Sequence, residues 1–292
     1  MARIPGQATP RTLGPPPPLG PARRRLAAPA RRAPSPPPAR RPPLRLRRRG
    51  FSAPLRGAVT DSSRPYPWTC PGQGRSGRAG QTPRCPRCAL HLRLCLCPLL
   101  RPLATEARVV VVTHFLEACK TTNTARLVPL TLRGGEVRIR GAPGLPLDLT
   151  DLEDPSRQAL LLYPAAGARV LDDEFLRADP RPKTLVVPDG TWRQAGKTVR
   201  REVFLRRLPT VVLPPGPPSR YRLRAQHDPR GLATFEAVAR ALGVLDGPEV
   251  QERLEDVFEV FVERTLWSRG VLSASAVRGG VPPAASPRPP AE

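Results

Sequence analysis

KTLVVPDGTWRQAGKTVRREVFLRRL, residues 183–208, changes character at its middle. Lys183–Val187 is a short, continuously apolar run, the pattern of a strand covered on both faces. Pro188, Asp189 and Gly190 interrupt it. Thr191 then caps a helix that the pattern extends to Leu208, just before Pro209. Asp189 thereby falls at the carboxyl end of a strand, where open α/β sheets bind ligands. Gly190 permits a tight turn with close backbone approach, and the free N–H groups at the helix start could bind a carboxylate. Two readings stay open: Asp189, Thr191 and Trp192 serve a ligand, with Trp192 as an aromatic surface for a base or a sulfonium, or they cap a helix and fill a core. Arg193, Lys197, Arg200 and Arg201 share one helical face, which belongs to solvent or to a polyanion such as an RNA backbone.

The same grammar extends outward. Arg108–Thr113 (RVVVVT), Gln158–Tyr163 (QALLLY) and Thr210–Leu213 (TVVL) read as further buried strands, and Glu136–Arg140 as a hairpin or edge strand with Val137 and Ile139 on one face. Helices are expected over Thr234–Leu242 and over Glu249–Trp267, where Val250, Leu254, Val257, Phe258, Phe261 and Leu266 make a stripe. Strands alternating with helices predict an α/β domain with a mostly parallel sheet.

Upstream lies Cys85-Pro-Arg-Cys88, followed by Cys95-Leu-Cys97. Four thiolates so close in sequence can close a tetrahedral Zn²⁺ site with no open position, hence a structural one. An iron–sulfur cluster or redox-active thiols are the alternatives. Arg84, Arg87 and Arg93 flank the cluster as phosphate contacts or as solvated charge.

The chain has 292 residues and a formal net charge of +24, concentrated at one end: 18 basic residues and one acidic residue, Asp61, lie within 1–84. That segment is Pro, Arg, Gly and Ala with few large apolar groups, so burial cannot offset ordering entropy, and disorder is expected. An RNA-attracting tail, a transit peptide and a wrongly placed start codon all fit it. The last is preferred, because Met1 is the only Met and high-GC frames yield this composition. Residues 271–292 also read as a disordered tail. No run of 18 apolar residues exists, so neither a membrane span nor a secretory signal is expected and a cytoplasmic location follows. No feature requires an obligate protein partner.

Other polar groups cluster where loops follow strands: His114 and Glu117, Asn123 and Arg126, Tyr163 and Pro164, Tyr221, Arg222 and Arg224, and Thr234 with Glu236. His114 reads equally as a base, a substrate contact or a hydrogen-bonded structural residue. Arg222 and Arg224 could grip a carboxylate or phosphate bidentately. No GxGxxG loop, P-loop or Ser/His/Asp triad is present.

Taken in order, C-x2-C-x6-C-x-C, H114-x-x-E117, N123-T124-x-R126, Y163-P164, D189-G-T-W192, Q194-A195, Y221-R-L-R224 and L232-A-T-F-E-A237 resemble the DTW-domain family, over residues 85 to about 270. The chain departs from that pattern at Ala89-Leu90-His91, where the family often has Arg-Pro, and in its long N-terminal tail. The family comprises tRNA-uridine aminocarboxypropyltransferases. The resemblance implies a SPOUT-like, knotted α/β core at 105–270 behind a four-cysteine zinc knuckle at 85–97. It implies transfer of the 3-amino-3-carboxypropyl group of S-adenosylmethionine to N3 of a tRNA uridine, releasing 5′-methylthioadenosine. Asp189, Thr191 and Trp192 would be catalytic, with Asp189 as base or as a hydrogen-bonding contact. The donor would lie against Tyr163, Pro164, Asp189, Gly190, Tyr221, Arg222, Arg224, Thr234 and Glu236, with Arg222 or Arg224 on its carboxylate. The tRNA would meet His114, Asn123, Arg126, Arg193, Lys197, Arg200 and Arg201. An RNA methyltransferase of the same fold and a non-catalytic zinc-containing RNA-binding protein are the competing functions.

Overall fold

The computed structural model describes residues 83–225, 228, 231–283 and 285. The expectations for the N-terminal tail up to residue 82, and for 284 and 286–292, fall outside these residues. Six strands form one sheet: β1 (Arg108–His114), β2 (Gly135–Arg140), β3 (Gln158–Leu162), β4 (Arg169–Val170), β5 (Lys183–Asp189) and β6 (Thr210–Val212). Their order is β2-β1-β5-β3-β6-β4 and every pairing is parallel. The expected α/β class with a parallel sheet is therefore present.

Among the described residues, seven α-helices accompany the strands: α1 (Phe115–Ala118), α2 (Val128–Thr131), α3 (Asp173–Ala178), α4 (Trp192–Arg201), α5 (Val203–Arg207), α6 (Thr234–Leu245) and α7 (Pro248–Ser268). Val109 and Val111 of β1 join one buried cluster with Leu160, Leu185 and Val187, closed by Phe235 and Leu242 of α6 and by Phe258 and Phe261 of α7. Val110 and Val112 join a second cluster with Leu161 and Val186, closed by Leu205 of α5 and by Leu149 and Leu152. Alternate residues thus point to opposite, equally covered faces, and this is why the runs carry no polar alternation. Each of the large side chains fully buried here contributes about 1.5–3 kcal/mol of transfer free energy.

At the sheet edge, β2 is parallel to β1, not one arm of a hairpin. Val137 and Ile139 face inward. The outward face carries charge: Glu136 accepts from Arg108 Nε at 2.8 Å, and Asp151 accepts from Arg138 Nη1 at 2.6 Å. A charged edge of this kind discourages pairing with another chain.

Three segments differ from expectation. The helix expected over 191–208 is two helices, because Glu202 leaves helical geometry (φ −84°, ψ 109°) and accepts a 2.7 Å bond from Arg140. The two-residue strand β4 was not anticipated from the sequence. Residues 271–283, read as part of a disordered tail, lie against α7: Val277 is buried, the Arg278 amide donates to Glu263 at 2.6 Å, and its guanidinium pairs with Asp256 and Glu259.

Candidate active site

The carboxyl ends of β3, β5 and β6, with the loop after α1, open into a cleft of about 1120 Å³. This is more than the roughly 300–1,000 Å³ that one drug-sized ligand needs. Its floor is Asp189, the last residue of β5, only 5% exposed. One carboxylate oxygen accepts from Asn123 Nδ2 at 2.8 Å and the other from the Thr234 hydroxyl. Burial pushes the Asp189 carboxyl above its ordinary range, and the bonds from Thr234 and Asn123 oppose that shift. Asn123 arrives on the loop after α1, and Thr234 is the first residue of α6. Thr234, expected to begin this helix, is thus turned to the cleft floor.

From the floor the chain turns sharply into α4. Gly190 has φ +150°, and a Cβ there would stand 2.9 Å from Gln194 Cβ. Gln194 accepts from the Thr191 amide at 2.8 Å while its own amide donates to Thr191 Oγ1 at 3.3 Å, a capping box that fixes the start of α4. The remaining Gln194 donor, Nε2, lies 3.3 Å from His114 Nδ1, which also accepts from the Leu116 amide at 3.3 Å. With two donors on Nδ1, the neutral ring carries its proton on Nε2. Burial, then the nearby Arg140, lowers the His114 pKa and favours that neutral form.

Trp192 stands at the mouth of the cleft, 52% exposed, with its ring centroid 6.4 Å from that of Tyr163. It is not a core residue. The facing wall is built from Pro214, Pro215, Pro217 and Pro218 around Gly216, and the fixed proline φ angles keep it stiff. A third side is held by cross-links between loops. Tyr221 Oη donates to Thr122 O at 2.8 Å, Arg224 Nε donates to Thr122 Oγ1 at 2.7 Å, and Arg224 Nη1 pairs with the buried Glu117.

The cleft brings together Asn123, Tyr163, Pro164, Asp189, Gly190, Thr191, Trp192, Arg193, Tyr221, Arg224 and Thr234 from the residues singled out in the sequence. Others stand apart. The nearest carboxylate to Arg222 is Glu263 at 3.9 Å, away from the cleft, and more than half of its side chain is exposed. Glu236 is buried and closes the start of α6, accepting from the Ala233 amide at 2.9 Å and the Arg220 amide at 2.7 Å. Arg126 is also buried. It donates to Ala118 O at 2.9 Å and Lys120 O at 3.3 Å, so it shapes the loop that carries Asn123 and presents no charge to an RNA. Arg200 and Arg201 are exposed and Lys197 half-buried on α4, outside the cleft.

Sequence reasoning missed Lys120, Thr122 and Arg240, all of which line the cleft. Arg240 carried a usable signal, because it follows Thr234 and Ala237 at intervals of three on one helical stripe.

On the side of the sheet covered by α7, the sulfurs of Cys85, Cys88, Cys95 and Cys97 all lie within 4.8 Å of one another, with Cys85–Cys97 and Cys88–Cys95 at 3.8 Å. An ion bound by four sulfurs at about 2.3 Å gives tetrahedral edges of about 3.8 Å, so the donor set fits. Left to themselves the thiols compete for charge. Hydrogen bonding from Cys97 draws Cys88 down to about 5, while burial drives Cys95 up to about 11. Arg264 of α7 donates to Leu94 O and Cys95 O, each at 3.0 Å, and ties the cluster to the main body. Among the described residues, no helix is long and apolar enough to cross a membrane.

Proteins named tRNA-uridine aminocarboxypropyltransferase 2 from three animals align with this chain. That of Drosophila melanogaster is 33% identical over 169 residues, 55% of this chain and 66% of its own length. Those of Mus musculus and Macaca fascicularis are 30% and 28% identical, each over 53% of both chains. This chain therefore spans between about half and two-thirds of the length of these relatives. No solved structure matches. The model of the DTW domain matches residues 82–266, a span that holds both the sulfur cluster and the whole cleft, and the chain belongs to the DTW-domain family.

Proposed function

We propose that the chain transfers the 3-amino-3-carboxypropyl group of S-adenosylmethionine to N3 of a uridine in tRNA, releasing 5′-methylthioadenosine. The observation that carries this reading is the position of the Asp189–Trp192 motif: it forms both floor and mouth of one large cleft, in a chain whose relatives are named tRNA-uridine aminocarboxypropyltransferases. The cleft's volume accommodates a donor and an acceptor nucleoside together.

When bound, S-adenosylmethionine supplies a sulfonium that makes its Cγ electrophilic. The protein's task is orientation, since the choice among the three carbons on sulfur is geometric. Asp189 is assigned as the group that accepts the N3 proton. A carboxyl whose pKa is raised by burial is suited to that step. The N3–Cγ bond forms, the Cγ–S bond breaks, and its electron pair leaves on the sulfur of methylthioadenosine. Trp192 and Tyr163 offer aromatic faces for an unstacked uridine, and Arg193, Lys197, Arg200 and Arg201 hold the RNA backbone. Zinc is the ion assigned to Cys85, Cys88, Cys95 and Cys97, in a structural role. A SPOUT-like, knotted chain path belongs to the same reading and is supported by the all-parallel sheet with its cleft at the carboxyl edge.

The test is to incubate the purified protein with S-adenosylmethionine and unmodified tRNA and to analyse nucleosides and small products by mass spectrometry. Aminocarboxypropyluridine with methylthioadenosine is the expected outcome. Methylated nucleoside with S-adenosylhomocysteine overturns it in favour of a methyltransferase, and absence of any product with a full set of tRNAs overturns it in favour of a binding role.

A further inference from the structure

We infer that Arg240 recognises the α-carboxylate of the donor, and so commits the cleft to an aminocarboxypropyl rather than an aminopropyl group. The inference rests on the reading of the cleft given above and assigns one of its subsites.

Among the described residues, four cationic side chains line the cleft: Lys120, Arg193, Arg224 and Arg240. Two share one buried carboxylate: Lys120 Nζ lies 2.7 Å from Glu117 Oε2 and Arg224 pairs with Glu117 Oε1. Arg193 is exposed at the mouth, beside Trp192. Arg240 is different. It is half-buried, and its single hydrogen bond is a weak 3.4 Å contact to Pro218 O, with no ion pair among the described residues. Most of its five N–H donors thus have no partner among the described residues, between the cleft wall of Leu213 and four prolines on one side and a small cavity lined also by Glu236, Glu255 and Glu259 on the other. A guanidinium so placed is completed by a planar anion that can accept two bonds at once.

The surroundings keep that position open. A Cβ on Gly216 would stand 3.2 Å from Arg240 Nη1, so the guanidinium lies along the bare backbone of the proline turn. Ala237, one turn earlier on the same stripe, leaves room between Arg240 and Thr234. The floor acid Asp189, at the end of β5, and the wall cation Arg240, on α6, give the cleft two unlike poles. That matches a donor whose reacting carbon is flanked by a sulfonium and, two carbons away, by a carboxylate-bearing centre.

Calorimetric titration of the full chain with S-adenosylmethionine, its decarboxylated analogue and 5′-methylthioadenosine tests the assignment. The wild-type protein is expected to bind S-adenosylmethionine about tenfold or more tighter than the decarboxylated analogue, as loss of a charge-assisted pair implies. Arg240→Met is expected to erase that preference while leaving methylthioadenosine affinity within about twofold, which also shows that the variant is folded. Arg240→Lys restores part of it. Equal weakening of all three ligands, or unchanged selectivity in Arg240→Met with selectivity lost in Arg224→Met, overturns the assignment. If the wild type binds all three alike yet forms aminocarboxypropyluridine, the reading of the cleft stands and Arg240 is excluded. If it binds none, the cleft is not a donor site and both fall.

Discussion

Both oxygens of Asp189 are engaged, by Asn123 and by Thr234, in a place where burial disfavours charge. The folded carboxyl holds its proton to a higher pH than its ordinary 3.8. Its favourable contribution to stability is therefore complete below that value and lost as pH rises through the folded pKa. Asp189→Asn removes the titration, and Asn123 can turn its amide to match. Denaturation of the variant and the parent should diverge in the variant's favour as pH rises above the ordinary carboxyl value of 3.8, and a gap that does not change with pH contradicts the burial account. Asp189→Ala leaves two buried donors unpaired and should cost about 1–3 kcal/mol. If Asp189 is the base, Asp189→Asn also lowers kcat by about 10² or more; retained turnover leaves it a holding role. Exposed Trp192 behaves oppositely: Trp192→Ala should change stability by under about 0.5 kcal/mol. The same change should raise KM for tRNA about 5- to 150-fold, the worth of one stacked base, as thermal melts and steady-state kinetics would show. The strand-end position of Asp189 was legible because strand, turn and helix signals are local. Its partners were not, since Asn123 and Thr234 lie 66 and 45 residues away in sequence.

At the level of elements, the start of α4 couples three features within a few residues: the left-handed Gly190, the Thr191–Gln194 capping box, and the Gln194–His114 contact. Gly190→Ala forces a side chain into that space at an unfavourable φ. It should destabilise the protein by about 1–3 kcal/mol and weaken donor binding, because the displaced Gln194 releases both the Thr191 amide and His114. Equal melting temperatures for variant and parent would refute this. The turn was legible because only a few residue types suit it. The end of α4 was not, because the break at Glu202 depends on Arg140 of β2, and nothing local marks it. Strand β4 was illegible for a related reason: its two side chains are exposed, so it exists only as backbone pairing with β6.

Across the whole molecule, the sulfur cluster and the cleft share one support. Arg264 of α7 holds the cysteine segment, α7 packs on α6, and α6 carries Thr234 and Arg240 on its cleft side. With zinc in the proposed four-cysteine site, its removal by a chelator should loosen α7 and weaken S-adenosylmethionine binding as well as lower the melting temperature, and by reciprocity bound donor should slow metal loss. Donor affinity that survives complete removal of the metal shows the two sites to be independent. The gathering of the four cysteines was readable from their spacing, but its seat on α7 was not, since that contact spans 170 residues. The order of the strands has a consequence for synthesis. β1 is flanked by β2 and β5, and β5 begins 69 residues after β1 ends, while α6 and α7 follow later still. An elongating chain therefore presents the Val109–Val112 run, a short, uncharged β-branched segment, well before its covering elements leave the ribosome. Production of this protein will depend on how well that interval is shielded, and slower elongation or a co-expressed holdase should change its soluble yield more than its final stability.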